Sequence, residues 1–310
     1  MRIPTKVLSS GNSIPMVGLG TFRIGIAPKS AFEGVPLGRD GKAVIKDAIE
    51  EGYRLFDCAQ FYLNEAVVGD AIAESGIPRQ EFFITSKVWP DKIFKGRQAV
   101  IDQCKQSLKD LRTSYVDLYL IHFPVPGKHV EAYHALEGLY KEGLCHSIGL
   151  SNYTIEDYEE LIQAGISIPP SCNEIEVNPL LFRKKTIEYF QSKDITILSW
   201  RGLGNGRPEM LEHPVLTKIA ADKKVTTAQV IGRWLVQHSI VHIPKSENPE
   251  RMRVNKDIFS FELSSTQMAE IDAIGSTKEA VEAFRQHYKY WTCADALYLE
   301  VHIVYVACLP

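Results

Sequence analysis

The stretch Phe56–Glu65, FDCAQFYLNE, runs apolar residues into an aspartate and sets a tyrosine five positions later. A buried carboxylate is costly unless a partner meets it, so Asp57 needs a nearby cation. Lys87 lies at the end of a second apolar run, FFITSKV, and His122 at the end of a third, VDLYLIHFP. If these runs are neighbouring strands, a carboxylate, the Tyr62 phenol, an ammonium and an imidazole share one edge. Titratable groups of such different kinds, gathered out of water, suit proton transfer to or from a bound molecule. Taken singly, each has a plainer reading. Asp57 and Lys87 make a structural ion pair, His122 is a satisfied core histidine, and Tyr62 is packing at a helix start. That plainer reading needs the same coincidence at every one of them.

The elements that would position these residues follow a regular alternation. Short apolar runs ending in polar residues recur at 16–22, 53–59, 82–88, 116–124, 146–152, 172–179, 195–204 and 240–246. Between them lie helical patterns such as GKAVIKDAIEEG, with apolar residues at 44, 45, 48 and 49. RQAVIDQCKQSLKDL is another, with Val100, Ile101, Cys104, Leu108 and Leu111 at three- and four-residue steps. Gly52, Gly143 and Gly165 fall where helices should stop. Strands alternating with helices indicate βαβ units and a parallel sheet. Eight such strands predict an α/β fold of the (β/α)8 TIM-barrel type, preceded by a hairpin within residues 1–16 around SSGN. A doubly wound sheet should show G-x-G-x-x-G after its first strand, and GLGTFRIG lacks that spacing. No linker divides the chain, so residues 1–310 read as a single domain. In such a barrel the carboxyl ends of all strands meet at one face, which is where the four groups would converge.

Composition narrows the class. The chain has 310 residues, 45% apolar and 24% charged, the usual mix of a globular protein. A net charge of −3 leaves no basic footprint for nucleic acid. Six cysteines are scattered with no C-x-x-C pair, which speaks against a zinc site and for reduced thiols in the cytoplasm. The first residues are too polar for a secretion signal, and no apolar run is long enough to span a bilayer.

The segments IPMVGLGTF, FDCAQFYLNE, ITSKVW, YVDLYLIHFP, SIGLSNY and IPKSENPERMRVN occur together and in order. With them the chain resembles the aldo-keto reductase family, NADPH-dependent barrel enzymes, from IPMVGLGTF to FELSSTQMAEIDAI. The resemblance implies reduction of an aldehyde or ketone, with Asp57, Tyr62, Lys87 and His122 as the catalytic tetrad. A tyrosine titrates near 10, too high for an efficient acid at neutral pH. A neighbouring ammonium favours the tyrosinate, and a carboxylate keeps that ammonium charged and in place. His122 would orient the carbonyl oxygen. The resemblance further implies that Lys245, Ser246 and Arg251 hold the 2′-phosphate of NADP(H) and Asn255 the adenine. Ser151 and Asn152 would meet the carboxamide, and Trp200 would stack on the nicotinamide. Thr21 is a further cofactor candidate. Phe22, Trp89 and Phe123, with Trp291 from a C-terminal tail at 276–310, would line an aromatic substrate pocket. Phe284, Tyr288 and Tyr290 are further candidates from that tail. The expected state is a monomer or weak homo-oligomer.

Several positions depart from the family pattern. Glu174 stands where relatives have a glutamine that binds the carboxamide, which predicts a raised Glu174 pKa or a weakened preference for the reduced cofactor. Arg201 and Gly202 follow Trp200 where serine and proline are usual, and Arg201 is taken as a pyrophosphate contact. Val254 replaces an acid near the adenine. The loop Arg23–Asp40 is long, and the final ALYLEVHIVYVACLP suits packing on the barrel, an interface or an unusual transcript. Together these departures allow a second reading, a catalytically weak nucleotide-binding regulatory or structural barrel.

Overall fold

The computed structural model describes residues 3–25 and 38–276. An antiparallel hairpin of β1 (Thr5–Val7) and β2 (Ser13–Pro15) comes first, turning through Gly11 at φ 89°. Parallel strands follow: β3 (Leu19–Gly20), β4 (Leu55–Asp57), β5 (Phe83–Val88), β6 (Leu118–Ile121), β7 (Ile148–Ser151), β8 (Cys172–Glu176), β9 (Thr196–Trp200) and β10 (Val241–His242). Each pairs with the next in chain order, giving an eight-stranded sheet. The sheet closes on itself. Val17 bridges His242, the His242 N–H donates to Met16 O at 2.9 Å, and the Gly18 N–H donates to His242 O at 2.9 Å.

All eight strands are shorter than the apolar runs that predicted them, and the first and last, β3 and β10, are the shortest. Pro244 has no N–H to offer the ladder, so β10 stops early, and Gly20 N–H reaches Pro244 O at 3.1 Å instead.

Among the described residues, the helices are α1 (Gly41–Glu50), α2 (Glu65–Glu74), α3 (Pro90–Ile93), α4 (Arg97–Asp110), α5 (His129–Lys141) and α6 (Ile155–Gln163). They continue with α7 (Lys184–Ser192), α8 (Pro208–Leu211), α9 (Pro214–Lys223), α10 (Thr227–Gln237), α11 (Pro249–Lys256) and α12 (Ser265–Asp272). The predicted apolar stripes are buried except at Ile101, which is half-buried. Val44, Ile45, Ala48 and Ile49 of α1, and Val100, Cys104 and Leu108 of α4, face the strands. Gly52, Gly143 and Gly165 sit just past α1, α5 and α6 at φ 90°, 74° and 75°, the left-handed stop that only glycine takes cheaply. Thr154, Thr226 and Ser264 start their helices with reciprocal capping boxes.

Two apolar layers result. One lies between strands and helices. The other fills the barrel: Leu55, Phe83, Leu118, Leu120, Cys172, Leu198 and Val241, stoppered by Leu8, Ile14 and Met16 from the hairpin. Gly18 is required by this closeness, because a Cβ there would lie 2.4 Å from Leu55 Cγ. We expect Gly18→Ala to cost about 1–3 kcal/mol of stability through overpacking, read as a lowered midpoint in chemical denaturation. Trp291, Phe284, Tyr288 and Tyr290, and most of the long loop after β3, lie outside the described residues. No described helix is long and apolar enough to cross a membrane.

Candidate active site

Side chains alternate along a strand, so the interior phase of each stave can be followed from the apolar floor to the rim. Leu55 leads to Asp57, Phe83 to Lys87, Leu118 and Leu120 to His122, Cys172 to Glu174, and Leu198 to Trp200. The floor of the barrel thus carries apolar groups and its mouth carries polar and titratable ones, on the same face of the same strands.

Lys87 is the centre of that mouth and is fully buried. Its Nζ donates to Asp57 Oδ1 in a tight ion pair, to Cys58 O at 3.1 Å and to Tyr62 Oη at 3.4 Å. Glu174 Oε1 lies 3.2 Å from the same nitrogen. Three of the four sequence-predicted residues are thus in contact, with a second carboxylate added, and the His122 ring lies 5.8 Å from that of Tyr62. Burial opposes the charge on Lys87, but Asp57, Glu174 and Tyr62 together outweigh it and hold its pKa well above the ordinary value. Burial likewise raises Tyr62, and Lys87 pulls against it without prevailing. The expected lowering by Lys87 is present in direction, yet desolvation wins and the hydroxyl stays protonated. Burial and the nearby Lys87 charge keep His122 well below its usual range, hence neutral. Burial and the Asp57 charge push Glu174 up to about 8, the rise expected from its replacing an amide.

The cofactor candidates fall in two groups. Near the tetrad, Asn152 adopts φ 62° and its Nδ2 donates to His122 O at 2.9 Å and Ser151 Oγ at 3.0 Å. Trp200 Nε1 donates to Asn152 Oδ1 at 3.2 Å, which fixes a half-buried indole at the rim. Ser151 Oγ donates to Glu174 O at 2.9 Å, and Thr21 Oγ1 to Asp57 O at 2.8 Å. No donor among the described residues reaches the buried Glu174 Oε2, while the Glu174 carboxyl is hydrogen-bonded to that of Asp57. An orphaned acceptor beside Ser151 and Asn152 fits the amide of a nicotinamide. Arg201, at φ 51°, lies over the Trp200 ring at 5.2 Å and reaches Glu176 Oε2 at 3.9 Å.

The second group follows β10. Ser246 and Asn255 are buried while Lys245 and Arg251 are exposed, and Asn248 caps α11 by accepting from Arg251 N at 3.0 Å. Tyr53 anchors this helix to the barrel through Met252 O at 2.8 Å. Cations at a helix N-terminus fit a phosphate dianion. The same end also holds an anion. Glu247 accepts from Lys245 Nζ at 2.7 Å and from the Arg39 N–H at 3.0 Å, and its carbonyl accepts from Arg39 Nη1 at 2.6 Å.

Phe22, Trp89 and Phe123 lie beside Tyr62 and His122. Phe22 lies 5.2 Å from the Tyr62 ring, and Trp89 lies 4.8 Å from His122 and 5.4 Å from Phe123. Sequence reasoning missed Phe61, stacked on Trp89 at 4.0 Å, and Gln60, whose Oε1 accepts from Trp89 N at 3.0 Å. Both lie inside the opening FDCAQFYLNE stretch. They adjoin Tyr62 on a single 3-10 turn (Gln60–Tyr62), which was the available signal.

The model of the Aldo/keto reductase family matches residues 16–276. The chain is 40% identical to the glyoxal reductase of Bacillus subtilis over 270 residues, covering 87% of this chain and 92% of that one. Among solved structures it is similar to an aldo/keto reductase of Brucella melitensis, at 35% identity and TM-score 0.78, covering 88% of this chain and 99% of that one. It is also similar to an aldo-keto reductase of Bombyx mori in complex with NADP, at 31% identity and TM-score 0.79, covering 90% and 95%.

Proposed function

The chain belongs to the aldo/keto reductase family, and on that premise we propose that it reduces aldehydes or ketones with NADPH, Tyr62 giving the proton. The observation that carries this reading is Lys87 Nζ held between Asp57 and Tyr62, 3.4 Å from the phenol oxygen. NADPH, when bound, supplies the hydride to the carbonyl carbon. The developing alkoxide takes its proton from Tyr62, and the phenolate left behind is stabilised by the Lys87 charge. Asp57 holds that ammonium in place. His122, neutral, donates a hydrogen bond to the carbonyl oxygen and orients it.

Ser151, Asn152 and Glu174 would meet the carboxamide, and the Trp200 face would fix the nicotinamide ring. Lys245, Ser246, Arg251 and Asn255 would hold the adenosine end, with Thr21 and Arg201 as further contacts along the cleft. The aromatic rim of Phe22, Phe61, Trp89 and Phe123 favours aryl or apolar carbonyls over charged sugar acids. A small dialdehyde such as glyoxal, named for the Bacillus subtilis relative, is a natural comparison substrate.

The test is NADPH consumption with a nitro-substituted benzaldehyde, glyoxal and a panel of ketones. Turnover with the aryl aldehyde is expected. Cofactor binding without turnover on any carbonyl would overturn the enzyme reading in favour of a nucleotide-binding regulatory barrel.

Glu247 makes a separate prediction. Its carboxylate neutralises Lys245, the lysine offered to the 2′-phosphate. An exposed pair is worth about 0.2–1 kcal/mol, so Glu247→Gln should tighten NADPH binding by roughly twofold to fivefold. NADH, lacking that phosphate, should change little. Fluorescence titration of both cofactors checks it.

A further inference from the structure

An ammonium has three N–H groups, yet four oxygens crowd the Lys87 nitrogen. Asp57 Oδ1 and Cys58 O take two of them. Glu174 Oε1, at 3.2 Å, and Tyr62 Oη, at 3.4 Å, are left to contend for the third. Charge is oversubscribed in the same way. Two buried carboxylates face a single buried cation, and a like-charged pair so placed keeps one proton. Glu174 is the member that keeps it, because its carboxyl is hydrogen-bonded to Asp57, a contact that raises Glu174 and lowers Asp57.

We propose that Glu174 is a positioning residue that competes with Tyr62 for Lys87, so that Glu174 serves the reaction while it carries a proton and hinders it once ionised. A neutral carboxyl is a poor acceptor and yields the third N–H to the phenol. An ionised one draws the ammonium away and adds an anion beside Tyr62, which makes the phenol a weaker acid. The replacement of an amide by an acid therefore builds a proton-dependent brake into the reductase, an inference that rests on the proposed activity.

The groups facing Glu174 are few. Asp57 comes from β4, Tyr62 from the turn after it, and Lys87 from β5; Cys172 lies two residues earlier on β8 itself. His122 lies at the end of β6, and burial, with the Lys87 charge adding to it, keeps it neutral. The adjoining strands β7 and β9 bring Ser151 and Leu198 into register, neither of which titrates. The raised Glu174 value of about 8 sets the window. The folded state binds this proton more tightly than the unfolded one, whose carboxyl titrates at its ordinary 4.5. Stability is therefore lost as pH rises from the ordinary value through the folded one.

Two measurements decide the proposal. In the first, apo wild type and Glu174→Gln are unfolded thermally between about pH 5 and about pH 8. The variant should gain roughly 5 °C relative to wild type across that range, and a constant difference overturns the shared proton without reference to any cofactor. In the second, kcat for carbonyl reduction is followed over about pH 6 to 9. Wild type should fall by about threefold to tenfold as Glu174 ionises, while the Gln variant stays level. Parallel profiles overturn the competition for Lys87. Glu174→Leu, which removes the acid without offering an amide, replaces Gln in both arms if that variant does not fold. Absence of any NADPH turnover in wild type would overturn the reductase reading and the brake with it, whereas turnover with parallel profiles would overturn the brake alone.

Discussion

Tyr62→Phe lowers carbonyl reduction by about 10²- to 10⁴-fold, the range lost when a positioned general acid is removed. Its ring stays in the aromatic rim beside Phe22 and His122, 5.2 and 5.8 Å away, so the pocket keeps its shape. Cofactor affinity should change by less than about twofold, because the hydroxyl contributes one long contact to Lys87 and none to the groups after β10. The measurement is NADPH turnover beside a fluorescence titration of the same protein. Unimpaired turnover would remove Tyr62 as the acid and leave the site without a proton donor.

The second large effect concerns the fold. Lys87→Met leaves Asp57 and Glu174 facing one another inside the barrel with their shared cation gone. Stranding buried charge in this way costs about 3–5 kcal/mol, and the apo protein should lose that much near neutral pH. Burial already raises both carboxyls above their ordinary values of 3.8 and 4.5. Without Lys87 they rise further, so the folded state holds protons that the unfolded chain releases. The sign follows: the loss is relieved on acidification and grows as pH rises through the folded values. Denaturant midpoints at about pH 5 and pH 8 test it. An equal loss at both would mean that packing, and not charge, ties Lys87 to its neighbours.

Much of the candidate site was legible before any coordinates. Several staves begin with apolar residues and end in a polar one on the same two-residue phase, so Leu55 with Asp57 and Phe83 with Lys87 already mark floor and rim. The helical stripes on α1 and α4 and the glycine stops at 52, 143 and 165 lie where periodicity put them. These features are local. A strand's phase, a helix's apolar face and a left-handed turn depend on residues a few positions apart, and sequence displays such spacings directly.

Residue order alone sets which groups point into the barrel mouth and the succession in which the staves carry them. Only the closed barrel decided who meets whom across it. Glu174 and Lys87 lie on strands with two others between them, and their 3.2 Å approach exists because curvature brings opposite walls together. The Glu247 clasp joins Arg39 to Lys245 across more than two hundred residues, where the last stave returns to the first. Contacts of this kind depend on the radius of the sheet and on desolvation by everything around them. That is why the pull of Lys87 on Tyr62 could be anticipated from residue types, while the stronger effect of burial could not.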